Sequence, residues 1–301
     1  MAGDGMNRAR TVWINGRLEP ADQALLTVTD RGFQVGDGIF ETIRVVGGRA
    51  LELPLHASRL QASAAVLEIP LPDDLERCLD AAIADLCRVN RLDGSDAQVA
   101  VRVTASRGPV DGRALRPPDV VWPNLVVQAW RVDPPPPELL SRGLHLVLSG
   151  VRRDPTSPLA TVKTTSRAEF VYAQLEARHR GADDALFLNT DGYLAEATSA
   201  SVFLVGELGF ATPSLDCGIL VSTTREWVIS SGGPQLGLTV RQDHLTCEDL
   251  FAAGEIFVAS SVAGILPVTR VDGRPIGRGT PGVRTLRLRA LRESAVSGMR
   301  Q

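Results

Sequence analysis

The chain has little lysine and no long apolar run, and each shortage excludes something. Its 301 residues contain 32 lysines and arginines together, of which Lys163 alone is lysine. No apolar stretch approaches the roughly 20 residues needed to cross a bilayer, so no membrane span is expected. The opening MAGDGMNRAR is polar and lacks the apolar centre of a secretory signal, and residues 1–10 read as a loose tail. The cysteines Cys78, Cys87, Cys217 and Cys247 form no C-x-x-C pair, and no histidine stands near them at zinc-finger spacing. The pattern predicts reduced thiols in a cytoplasmic protein and no metal site. A net charge of −3 gives no electrostatic case for a nucleic-acid partner or an anionic membrane surface.

The apolar and charged fractions, 44% and 22%, are those of a soluble globular chain long enough for one large domain or two modest ones. Asn15-Gly16 marks a hairpin turn after Val12–Ile14. Ile39 to Val46 is β-rich, and Gly47-Gly48 then leads to a second strand ending near Leu53. Ala57 to Leu67 and Leu75 to Val89 have helical spacing, the second with Leu75, Leu79, Ile83 and Leu86 on one stripe. Gln98 to Ser106 and Leu125 to Trp130 read as strands. Pro134 to Pro137 cannot lie inside a helix or sheet, so residues 132–138 are the expected connector between a domain at 11–131 and another at 139–301. The second part predicts strands at Leu144–Ser149, Ala185–Asn189, Tyr193–Ala195, Ser201–Val205 and Glu255–Ala259. It predicts helices at Thr165–His179, Thr224–Ser230 and Gly282–Ser294.

Arginine keeps its proton at physiological pH. Lysine can lose its proton when partly desolvated, and a neutral amine attacks a carbonyl to form a Schiff base. Lys163 sits among small and apolar neighbours in Pro158-Leu159-Ala160-Thr161-Val162-Lys163-Thr164-Thr165, just before a predicted helix. Downstream, Glu196 is a lone carboxylate among small residues. Such a group is either solvated or, beside a Schiff-base lysine, able to keep a pyridine nitrogen protonated so that the ring acts as an electron sink. Ser222-Thr223-Thr224 places hydroxyls at a helix start, which is either an ordinary cap or an anion site. Arg59 is either a surface arginine or a fork of donors for the same anion.

Two segments, Asp30 to Arg44 (DRGFQVGDGIFETIR) and His56-Ala57-Ser58-Arg59-Leu60, resemble signatures of the class IV aminotransferases, the fold-type IV pyridoxal-phosphate enzymes. The stretch from Lys163 through Gly181–Ala185 to Glu196–Phe203 is similar to that family's catalytic core, and Gly264–Val268 resembles its late phosphate-side loop. The motifs occur in the family's order from about Trp13 to Val271. The resemblance implies an α/β (α+β) fold with a small N-terminal α/β domain and a larger C-terminal α/β domain carrying the lysine. It implies a homodimer with its active site at the subunit interface. Lys163 would bond to pyridoxal 5′-phosphate and shuttle a proton. Glu196 would pair with the pyridine nitrogen, and Arg59, Thr223, Thr224 and Ser261 would hold the phosphate. An intact Lys163 and Glu196 argue against a non-enzymatic cofactor carrier.

The family contains transaminases and a lyase, separated by the groups that hold the substrate. Phe40, Thr42 and Arg44 share one face of a strand and would line the pocket. Arg44 and Arg107 are the expected carboxylate ligands, and each could instead serve in a salt bridge or contact solvent. The Arg-x-His pair of D-amino acid transaminases has no match after Arg107, and Phe40 stands where those enzymes carry Tyr. Ala168 replaces the Tyr of branched-chain enzymes. Arg167, before it, and the Ser106-Arg107-Gly108 element resemble the lyase branch. The favoured expectation is amino transfer to a 2-oxo acid from D-amino acids and also (R)-amines. Aminodeoxychorismate lyase is the first alternative and L-branched-chain transamination the second.

Overall fold

The computed structural model describes residues 11–95, 97–112 and 115–298. The expected tail at 1–10 lies outside the described residues. Two compact units emerge, one running to Asp133 and including Val162–Ser166, the other comprising Pro134–Thr161 and the chain from Arg167 onward.

The first unit contains β1 (Thr11–Ile14), β2 (Arg17–Pro20), α1 (Arg31–Val35), β3 (Gly38–Val46), β4 (Arg49–Ala50), α2 (Leu53–Leu67), α3 (Leu75–Val89), β5 (Gln98–Ser106) and β6 (Asn124–Arg131). Asn15 and Gly16 both take positive φ, 49° and 89°, as a two-residue hairpin turn requires. The strands form one sheet in the order β2-β1-β6-β5-β3-β4. β3 and β5 pair antiparallel along their whole length, from Gly38↔Ser106 to Val46↔Gln98. One face of β3, with Ile39, Ile43 and Val45, joins Leu60 of α2 and Leu79, Ile83 and Leu86 of α3 in a continuous apolar core. Two expectations are corrected. The strand after Gly48 is two residues long, and α2 begins at Leu53 rather than Ala57, because Pro54 falls in its first turn where no N–H is needed.

The second unit contains α4 (Pro137–Arg142), β7 (Leu144–Arg153), α5 (Ala168–His179), β8 (Asp184–Asn189), β9 (Leu194–Ala197), β10 (Ser201–Val205), β11 (Gly209–Pro213), α6 (Thr223–Trp227), α7 (Gly233–Gln235), β12 (Thr239–Asp243), α8 (Cys247–Ala252), β13 (Glu255–Ser260), β14 (Gly264–Val271), β15 (Arg274–Pro275) and α9 (Val283–Gly298). The sheet order is β12-β11-β10-β13-β14-β7-β8-β9, with β15 on β14. β9 also returns to β10 through Ser201↔Glu196, so the pairings from β10 round to β9 close on themselves. Phe203 and Phe257 stack at 4.7 Å beneath Leu288 of α9. The expected connector at 132–138 is shorter than its prolines suggest, since Pro137 opens α4. The helix expected to 230 leaves α geometry after Trp227 and continues as a wider turn to Gly232.

Lys163, expected in the C-terminal domain, lies in a segment that packs with the first unit. Phe40 N–H donates to the Lys163 carbonyl at 2.9 Å, and Thr165 N–H donates to the Gly38 carbonyl at 2.8 Å. Ile39 and Thr164 form an antiparallel bridge. Two glycines permit this approach. A Cβ at Gly36, where φ is +68°, would collide with Ser166 Oγ, and one at Gly38 would meet Thr165 Oγ1 at 3.0 Å.

Candidate active site

In the first unit, the Lys163 side chain reaches the ring of Phe40, with Nζ 4.7 Å from its centroid. Its backbone N–H is 3.3 Å from Ser63 Oγ on α2. The Phe40 ring is 6% exposed and also carries the guanidinium of Arg102 at 3.8 Å. Arg102 lies on β5 opposite Thr42 in the ladder, so alternation puts it on the same sheet face as Phe40, Thr42 and Arg44. Burial pulls the Arg102 guanidinium below its ordinary range. Its Nε approaches Thr104 Oγ1 at 3.3 Å, and no carboxylate pairs with it among the described residues. A desolvated cation without a counter-ion is costly, so the place suits an incoming anion.

On the opposite face of β3, Glu41 is fully buried. Arg59 grips it with two hydrogen bonds, Nε to Oε1 at 2.7 Å and Nη2 to Oε2 at 2.6 Å, and His56 Nδ1 lies 2.7 Å from Oε2. Burial pushes the Glu41 carboxyl up, but Arg59 and then His56 outweigh it and hold it at about 2. Arg59, expected as a fork of donors for the phosphate, is thus anchored on this carboxylate. Arg107, expected to bind substrate, has its donors otherwise engaged. Nε and Nη2 bond Asp37, and Nη1 and Nη2 bond the Glu68 and Leu67 carbonyls at the end of α2. It clamps the Asp30–Asp37 loop to α2. Burial opposes charge on Asp37, yet Arg107 and Arg31 hold its carboxyl below the usual range. Arg44 is 5% exposed and donates to Gln98 Oε1 at 2.6 Å, while Thr42 is half-buried beside Arg102.

In the second unit, Glu196 lies on β9 and is 7% exposed. Arg153, at the end of β7, places Nε 3.6 Å from its Oε1, and Leu220 N–H donates to its Oε2 at 3.3 Å. Arg153 is itself fixed by the Ala160 carbonyl at 2.9 Å. Thr223 Oγ1 and Ser261 Oγ are 3.1 Å apart. Beside them, the buried Thr224 Oγ1 has no hydrogen-bond partner among the described residues. Arg167 stacks on Phe170 at 3.1 Å and donates to the Thr198 carbonyl at 2.9 Å, two residues beyond Glu196.

A family model for amino-transferase class IV matches residues 38–271, which span both sets of side chains. The chain belongs to the class IV aminotransferases. Among the relatives of this aminotransferase is a putative branched-chain-amino-acid aminotransferase of Methanocaldococcus jannaschii, 33% identical over 92% of this chain and 93% of the relative. A D-alanine aminotransferase of Bacillus licheniformis is 29% identical over 95% of this chain and 97% of its own. A branched-chain amino acid aminotransferase from T.th., solved with pyridoxamine 5′-phosphate, superposes with a TM-score of 0.89 at 29% identity, covering 98% of this chain and 96% of that one.

The aminotransferase cofactor is pyridoxal phosphate, and the residues present fit it. The orphaned Thr224 hydroxyl and the Thr223–Ser261 pair are the neutral donors a phosphate takes, and burial makes an unpaired hydroxyl costly without one. Thr224→Val should leave the cofactor-free protein as stable as wild type, because no bond is lost. It should weaken pyridoxal phosphate about tenfold, as one hydrogen bond to a charged group is worth about 1.5–3 kcal/mol. Fluorescence titration of the cofactor checks this, and unchanged affinity would refute the assignment. Sequence reasoning missed Arg102, Arg153 and Glu41. Arg102 had a visible signal, being a lone charge in the apolar run Gln98–Ala105. Arg153 and Glu41 had none, because their partners are distant in sequence.

Proposed function

We propose that this aminotransferase moves the amino group of an amino acid to a 2-oxo acid with Arg102 as the substrate carboxylate ligand. The observation that carries this is the Phe40 ring, shared by the Arg102 guanidinium at 3.8 Å and the Lys163 amine at 4.7 Å. A fork of donors beside the reactive amine can orient a carboxylate bidentately. Arg102 takes over the role that sequence reasoning assigns to Arg44, which donates to Gln98, and to Arg107, whose donors bond Asp37 and backbone carbonyls.

The other roles follow the family. Lys163 would hold the cofactor and move the proton at the substrate Cα. Glu196 would hold the pyridine nitrogen, with Arg153 supplying the opposing charge and Leu220 N–H fixing the carboxylate. Thr223, Thr224 and Ser261 would hold the phosphate; Arg59, which the family resemblance gives the same role, has its fork set by Glu41. Bound pyridoxal phosphate supplies the electron sink for the pair left when that proton departs. Thr42, on the Arg102 face of its sheet, and Arg167, as sequence reasoning assigns it, are taken as substrate-side residues.

For the donor we take the L-branched-chain amino acids, since that name recurs among the relatives. The D-alanine aminotransferase likeness supports the D-amino acid reading as second choice. (R)-Amines offer Arg102 no carboxylate. L-leucine, D-alanine, D-glutamate, (R)-1-phenylethylamine and aminodeoxychorismate, each mixed with holoenzyme, decide among these readings through loss of the visible cofactor band. Response to D-alanine with none to L-leucine would overturn the choice, and pyruvate release from aminodeoxychorismate alone would establish a lyase. Arg102→Met should raise KM for the amino acid about 10- to 100-fold, the weight of a charge-assisted pair. An equal loss with a carboxylate-free amine would sink the role.

The partner is a second copy of the chain. Leu25, Val28, Phe33 and Trp122 of the first unit are 73–82% exposed, and a partner surface would take them out of water. Light scattering should give twice the chain mass, and a monomer at micromolar concentration would refute this. Free thiols at Cys78, Cys87, Cys217 and Cys247 suit the cytoplasm, which localisation of a tagged chain would test. No helix among the described residues is long and apolar enough to cross a membrane.

A further inference from the structure

Asp216, Cys217 and His244 take no part in the site above. β11 and β12 run parallel with Pro213 opposite Asp243, which brings the residues following each strand side by side. Asp216 and Cys217 lie in the short turn Leu215–Cys217, and His244 directly follows β12. His244 Nε2 is 3.0 Å from Asp216 Oδ2. Its ring stacks on Tyr193 at 4.9 Å and 21°, which fixes its orientation. Ser214 Oγ bonds Asp216 and lies 3.7 Å from Cys217 Sγ. One ligand atom from each of Asp216, Cys217 and His244 falls within 4.8 Å of the other two.

We propose that these three side chains form a zinc site with its fourth position open to water. Oxygen, nitrogen and sulfur ligands at 2.0–2.3 Å from a tetrahedral zinc stand roughly 3.3–3.7 Å from one another. The carboxylate and imidazole already have nearly that separation, and the thiol needs to move by no more than about an ångström. A thiolate and an imidazole select zinc over magnesium or calcium. On binding, the Cys217 thiol gives its proton to solvent, and thiolate plus carboxylate then neutralise the ion's two charges, so the site passes from one negative charge to none, with the buried thiolate paired to the metal. The distance in sequence between Cys217 and His244 is why no metal spacing was legible there. The turn leads straight to Gly218, whose carbonyl is 3.4 Å from Arg153 Nε, and to Leu220, which donates to Glu196. The ion would thus fasten the strap that ends on that carboxylate.

The test is zinc titration of chelator-stripped holoenzyme against a chromophoric chelator. One zinc per chain is expected, with micromolar or tighter affinity. Cys217→Ser and His244→Gln should each weaken it by at least about tenfold. The cobalt-substituted protein should show a near-ultraviolet thiolate-to-cobalt band that Cys217→Ser lacks. Failure to bind stoichiometric zinc would overturn the site. So would equal affinity in wild type and His244→Gln, whose replaced ring is half exposed and outside the core. Both readings are of the metal itself, so they stand whatever the transamination assays give.

Discussion

Lys163→Ala protein incubated with pyridoxal phosphate is expected to show no visible band that borohydride removes, while wild type shows one. Its half-reaction with any amino acid should fall by at least about 10²–10⁴-fold, the usual worth of a positioned proton-transfer group, before loss of the covalent attachment is added. The fold should be untouched. The segment is held through backbone atoms, the Lys163 carbonyl accepting from Phe40 and the Lys163 N–H facing Ser63 Oγ, and alanine keeps both. A far-ultraviolet circular dichroism spectrum and melting curve matching wild type, together with a lost band, separates chemistry from folding. A variant that retains the borohydride-sensitive band would show that another amine carries the cofactor, and Lys163 is the only lysine in the chain.

Glu41→Gln should give the largest loss of stability among the polar substitutions considered. It leaves Arg59 and His56 facing a neutral amide in a dry setting, and removing one member of a buried ion pair costs about 3–5 kcal/mol. The effect has a pH signature. The Glu41 carboxyl is held at about 2 in the folded protein, against 4.5 for an ordinary glutamate. A depressed folded value stabilises fully above the unfolded value, and that contribution is lost as pH falls from 4.5 towards 2. Its size is on the order of 3 kcal/mol. Urea unfolding at pH 6 and pH 3 should show wild type losing more stability than Glu41→Gln over that interval. Equal losses would mean that the carboxylate is not the group responsible.

Periodic and punctuated segments were legible in the sequence. The Asn15-Gly16 turn, the Leu75–Leu79–Ile83–Leu86 stripe and the bounds of β5 follow from local rules alone. β11 and β14 were not, because Gly209, Pro213 and Pro267 look like breakers unless the neighbouring strands are known. Side-chain identity in the site divided the same way. Lys163, Glu196, Thr223 and Thr224 stood out by rarity or clustering. Arg107 misled, because its partners Asp37 and the Leu67 and Glu68 carbonyls are some 40 to 70 residues away in sequence. Arg102, a lone charge in its strand, was passed over because only the ladder shows that it stands opposite Thr42 and over Phe40.

The fastening of Lys163 to β3 has a consequence for how the chain is made. β4 pairs only with Val45 and Val46, so the Gly38–Phe40 end of that edge is completed by Lys163 and Thr165. During synthesis, everything up to Asp133 leaves the ribosome before that patch exists, and α4 and β7 must follow first. Until then the nascent first unit carries an open strand edge of the kind that recruits other chains. A fragment ending at Asp133 should therefore aggregate more readily than the full chain, and the reactive lysine arrives as the last piece that seals the sheet edge.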